Sequence, residues 1–185
     1  MVSALPGLVV AALCGVATDE PPPRLTFSVA PGVAGRMAPS PGVSGVALSL
    51  DVSGLWALNR WLSIGPTVGT LLQPWTTTIA DCPGGCSSPD GAYETRAGPA
   101  VRFTAPWQRF RVWGQVSAQY EYQFVTYPAG PTPRPWQGRS SFLAGTDACA
   151  EVAITKHLWL GARVAAYAGP QELTLGLAGV LSILR

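Results

Sequence analysis

Between Phe110 and Phe124 the chain alternates between apolar and polar residues. Phe110, Val112, Gly114, Val116, Ala118, Tyr120, Tyr122 and Phe124 share one parity, and Arg111, Gln115, Ser117, Gln119, Glu121 and Gln123 share the other. A period of two predicts an extended strand with one apolar and one polar face. Ordinary strands run about five or six residues, so this one needs an unusual setting.

Seven further segments repeat the pattern. Leu25, Phe27, Val29 and Val33 mark the first, over 24–33. Val46, Leu48, Leu50, Val52, Trp56 and Leu58 stand opposite Ser49, Asp51 and Ser53 in the second. Leu62, Ile64, Val68 and Leu72 stand opposite Ser63, Gly65, Thr67 and Gly69 in the third, and Tyr93, Ala97, Val101 and Phe103 opposite Glu94, Arg96, Gly98 and Arg102 in the fourth. After the 110–126 strand, Phe142, Ala144, Ala148, Val152 and Ile154 face away from Gly145, Asp147, Cys149 and Glu151. Leu158, Leu160, Ala162, Val164 and Ala166 face away from Gly161, Arg163 and Tyr167. Leu173, Leu175, Leu177, Leu181 and Ile183 face away from Thr174, Gly176, Ala178 and Ser182. Pro31, Pro66 and Pro99 fall inside these strands, where a missing N–H argues against central pairing.

The connections also alternate. Tight ones are predicted at 59–60, 106–109 and 156–157, and longer Gly/Pro/Ser-rich ones at 34–44, 74–92 and 127–140, with a short link near 170. An even strand number with short turns at one end and longer loops at the other predicts an all-β, eight-stranded, antiparallel, up-and-down transmembrane β-barrel over 24–185.

Which face points outward follows from chemistry. Every charge assigned to a strand (Asp51, Glu94, Arg96, Arg102, Arg111, Glu121, Asp147, Glu151, Arg163) falls on the polar parity, which is also rich in glycine, serine and alanine. Small residues suit the narrow lumen of eight strands, and a cation on the lipid face near the midplane costs roughly 2–4 kcal/mol. The apolar face is therefore expected outside, and the lumenal charges are expected to pair and plug the barrel. A soluble secreted barrel holding an apolar ligand, with the opposite facing, is the alternative, as is a small-solute porin. Charged residues make up only 12% of the 185-residue chain, against roughly a quarter in soluble domains. Aromatics gather at the strand ends: Trp56, Trp61, Trp107 and Phe110 by the tight turns, and Trp75, Tyr93, Tyr122, Phe124 and Phe142 toward the loops. Such rings are stable at water–lipid boundaries.

In architecture the chain resembles the small outer-membrane barrels of the OmpA/OmpX type. The resemblance implies a Gram-negative outer membrane, both chain ends in the periplasm, and dependence on the barrel-insertion machinery. Those proteins usually end in an aromatic residue, whereas this chain ends "GVLSILR".

Residues 1–17 carry no charge and predict a secretory signal peptide cleaved after Ala17, with 18–23 as a short extension. In an exported protein Cys82 and Cys86 are expected to form a local disulfide in the longest loop, and Cys149 to be lumenal and unpaired. No metal or cofactor is expected. The net charge of +2 and the lack of a basic run argue against nucleic acid as a partner. His157, the one histidine, sits in a tight turn, so no Ser–His pair or acid pair at a cleft suggests an enzyme. Outer-membrane lipid is the expected surrounding, with a structural or surface-interaction role and an extracellular partner that the sequence does not identify.

Overall fold

The computed structural model describes residues 24–37, 45–73, 91–107, 109–126, 137–170 and 172–185. Eight antiparallel strands close into one barrel in chain order. They are β1 (Leu25–Met37), β2 (Gly45–Ala57), β3 (Leu62–Gln73), β4 (Gly91–Pro106), β5 (Phe110–Thr126), β6 (Gln137–Ala153), β7 (Leu158–Gly169) and β8 (Glu172–Leu184). The seam is sealed by β1 against β8, with Val29 opposite Leu181 and Val33 opposite Leu177.

All eight predicted strands exist, and their edges differ from expectation in two instructive places. β1 continues to Met37 instead of ending at 33, because Ala34–Gly35–Arg36 still pair with β2 and β8. β6 starts at Gln137, where its ladder with the long β5 begins. The predicted loops 34–44 and 127–140 are shortened accordingly. The disulfide proposed for Cys82 and Cys86, the interface position of Trp75, and the signal segment 1–17 with its extension 18–23 lie outside the described residues.

The apolar parity faces outward on every strand. Leu48, Leu50, Val68, Val116, Val164, Leu175 and Leu177 are all exposed, while Asp51, Glu94, Arg96, Arg102, Arg111, Glu121, Asp147, Glu151 and Arg163 are buried. Strands of 12–17 residues, tilted in a closed barrel, span the apolar band of about 25 Å. A soluble barrel with an apolar interior is thereby overturned: the interior of this one is charged. Near the middle of β5, Val116 is 59% exposed on this outer face. Val116→Lys is expected to lower stability in lipid vesicles by about 2–4 kcal/mol, read as a shifted urea midpoint. In a protein with a water-facing exterior the change would be neutral.

The prolines are accommodated by a repeated device. Pro31, Pro66 and Pro99 all point outward, and each neighbours an inward glycine, at Gly32, Gly65 and Gly98. Beside each pair the ladder skips two residues on one side: β1–β8 at Pro31, β2–β3 at Pro66 and β4–β5 at Pro99. The lost N–H is confined to that side. Pro66 and Pro99 pair directly across β3–β4, where neither can donate. At each glycine the neighbouring backbone approaches so closely that a Cβ would lie 1.9–2.2 Å from a carbonyl oxygen. Glycine is thus required by contact with the next strand.

Candidate functional site

The lumen holds the chemistry. Alternate residues of all eight strands point into it, and they form three tiers of charge along the axis.

At the loop end, Arg36 of β1 is surrounded by three carboxylates. It donates to Glu94 at 2.6 Å, to Glu121 at 3.2 Å and to Glu172. The Ser141 hydroxyl donates to Glu121 at 3.3 Å. This tier ties β1, β4, β5, β6 and β8 together. It connects downward where the Arg96 guanidinium lies 4.0 Å from Glu94.

In the middle tier Asp51 of β2 accepts from two arginines, Arg96 at 2.8 Å and Arg163 at 3.0 Å. Arg163 also donates to Asp147 at 3.0 Å and to the Tyr167 hydroxyl. The Tyr167 ring in turn lies under the Arg96 guanidinium, 3.7 Å from its centroid. Gly69 makes this possible, since a Cβ there would meet Asp51 and Arg96.

At the turn end Glu151 of β6 accepts from Arg111 and Ser182, each at 2.5 Å, and from the Trp113 indole at 2.8 Å. Arg102 has no carboxylate within salt-bridge distance. It donates instead to Gln115 at 3.0 Å, Ser28 at 3.2 Å and Ser53 at 3.0 Å, and it stacks on Trp113 at 3.8 Å. Ser28 and Ser182 are 2.8 Å apart across the β1–β8 seam. The hydroxyls can therefore relay polarisation from Arg102 through Ser28 and Ser182 to Glu151, each accepting one hydrogen bond and donating the next.

Together these contacts form a continuous polar column from mouth to mouth. A cavity of about 10 Å³ remains beside Arg102, lined also by Asp51, Ser53 and Arg163, roughly the room for a single water. Apolar side chains also line the interior: Trp113, Cys149 and Val180 pack together, and Leu71 sits with Ala34 and Ala47. Cys149 is free and buried.

All nine charges named from the sequence project into this column. Two members are additional, Arg36 and Glu172. Arg36 falls in a stretch read as loop, yet the phase of Phe27, Val29 and Val33 carried forward places residue 36 inward. Glu172 opens β8, and the phase of Thr174 and Gly176 carried back one step places it inward. The lumenal faces of Trp113, Trp159, Leu55 and Leu71 also went unread, because apolar residues on the polar parity break the pattern. Outside, Trp56, Phe110, Tyr122 and Phe142 are exposed. Trp61 stacks on Phe103 at 6.1 Å, Trp107 on Phe110 at 5.4 Å, and Tyr122 meets Phe124 edge-on at 4.5 Å. Among the described residues no group of His, Cys, Asp or Glu could hold a metal.

No family model and no curated protein matches the chain. Solved structures do. Neisserial surface protein A (NspA) superimposes with a TM-score of 0.66 at 12% identity, over 87% of this chain and 97% of that one. This chain has the fold of the small eight-stranded outer-membrane barrels. Ail, the attachment invasion locus protein of Yersinia pestis, matches at 0.53 and 10% identity over 88% and 98% of the two chains. The N-terminal β-barrel domain of Pseudomonas aeruginosa OprF matches at 0.51 and 9% identity, over 89% and 100%. At such identities the likeness is one of backbone, and the lumenal column belongs to this chain's own sequence.

Proposed function

We propose that this protein resides in a Gram-negative outer membrane as a non-catalytic barrel with a structural or surface-interaction role, its lumen plugged by paired charges. The observation that carries the plug is the polar column, its ion pairs joined to the turn-end tier through Gln115, which donates to Asp147 at 3.1 Å and accepts from Arg102 at 3.0 Å. Buried charges this close to one another are held by partners on other strands, so opening a path requires parting several at once. A small-solute porin would need an open bore, which eight strands scarcely enclose.

The non-catalytic reading is supported by His157, which lies exposed at the turn end, away from the loops. A surface role is supported by three connections at the loop end, over 38–44, 74–90 and 127–136, which are longer than the turns. The names of two barrels of like fold point the same way, one a surface protein and one an attachment and invasion protein.

Planar-bilayer recording of the refolded full chain tests the plug. No resolvable unitary steps are expected at neutral pH. Reproducible single-channel openings would replace the plug with a pore. Fractionation tests the location: extraction that needs detergent, with a heat-modifiable gel shift, is expected, and recovery in the soluble fraction would overturn it.

A further inference from the structure

Five exposed basic side chains lie at one end of the barrel. Arg24, Arg60, Arg109, Lys156 and Arg185 are all exposed, and all belong to the turn end. They are spread around its rim. Arg60 lies between β2 and β3, Arg109 between β4 and β5, and Lys156 between β6 and β7. Arg24 and Arg185 flank the closing seam, where Leu25 and Arg185 exchange backbone hydrogen bonds at 2.9 Å. His157 stands exposed beside Lys156.

No acid balances them there. Every described Asp and Glu belongs to the lumenal column, and its tier beneath the rim sets Arg102 and Arg111 against Glu151 alone. Asp19 and Glu20 precede the seam outside the described residues, and counting both still leaves the rim positive.

The rim also sits beside aromatic rings at the edge of the apolar band. Arg60 lies 5.1 Å from the Trp61 ring centroid. The Trp61–Phe103 and Trp107–Phe110 stacks lie at the same end, and Trp56 is 55% exposed there. Indoles of this kind mark the level of the lipid head groups.

We propose that this rim is a collar for the phosphate groups of anionic phospholipids in the leaflet that the turn end crosses. The inference rests on the membrane reading above and adds a lipid preference to it. The circular arrangement is the argument. A compact soluble anion would engage one arc, whereas head groups surround a barrel on all sides and can meet every cation at once. Juxtamembrane Lys and Arg attract anionic lipid surfaces strongly, within about a Debye length.

The test uses the full chain refolded into vesicles of mixed phosphatidylglycerol and phosphatidylcholine, with one lipid at a time carrying brominated chains. Tryptophan quenching then reports which lipid touches the barrel. Brominated phosphatidylglycerol is expected to show about a two- to fivefold higher relative association than brominated phosphatidylcholine at low salt. The ratio should approach parity near 1 M salt, where the Debye length is about 3 Å. The variant Arg60→Gln/Arg109→Gln/Lys156→Gln should lose the preference, while Arg60→Lys/Arg109→Lys retains it. Equal quenching by the two lipids in the unmodified chain, or a preference that survives the glutamine changes or high salt, would overturn the collar. Failure to insert into either vesicle, seen as no heat-modifiable shift, would overturn the membrane reading itself.

Discussion

Asp51→Ala is expected to destabilise the barrel by about 3–5 kcal/mol, the cost of stranding buried charges. One carboxylate holds Arg96 at 2.8 Å and Arg163 at 3.0 Å, and it is only 6% exposed. Removing it leaves two guanidiniums side by side. Arg163 then keeps Asp147 as its one carboxylate partner, and Arg96 keeps Glu94 at 4.0 Å. A water beside the cavity of about 10 Å³ could accept from the guanidiniums but would not supply the missing charge. Asp51→Asn keeps the shape without the charge and should fall between the variant and the parent. Urea unfolding in vesicles, followed by tryptophan fluorescence, measures both. A loss below about 1 kcal/mol, the range of solvent-exposed pairs, would mean that the lumen is wet and the plug reading is wrong.

Gly98→Val is expected to cost about 3 kcal/mol, the upper end for overpacking, or to prevent assembly. A Cβ at residue 98 would stand 1.9 Å from the Ala118 carbonyl oxygen and 2.9 Å from the Gln119 Cα. The obstacle is backbone, so no rotamer change relieves it. β5 must either move away or lose its pairing with β4 next to Pro99, where the ladder is already interrupted. Gly54→Ala is the control, since nothing lies within 4 Å of its added methyl. The folded, heat-modifiable band should be lost or weakened for Gly98→Val and unchanged for Gly54→Ala. Equal behaviour of the two variants would show that the close approach of β5 is not a constraint.

These expectations depend on different kinds of information. That Asp51 faces inward was readable from Leu48, Leu50 and Val52 around it, since side chains alternate across a strand. That it lies between Arg96 and Arg163 was not, because those residues are 45 and 112 positions away. The glycines read as small lumenal residues, yet their need for a bare Cα comes from strands crossing beside them. Arg36 shows the limit most plainly. Its inward phase was present in the chain, but the Gly/Pro composition around it suggested a loop, and only pairing with β2 and β8 made it strand.

The sequence by itself determined the number of strands, their antiparallel up-and-down order and which parity is apolar, because these follow from local alternation and connection length. It also placed the charges on the opposite parity, since lipid tolerates none on the outer face. Only closure of the sheet decided which acid meets which arginine, how little space remains, and that five cations form a ring at one rim. Pairing depends on register and on strands distant in sequence, which short-range periodicity does not encode.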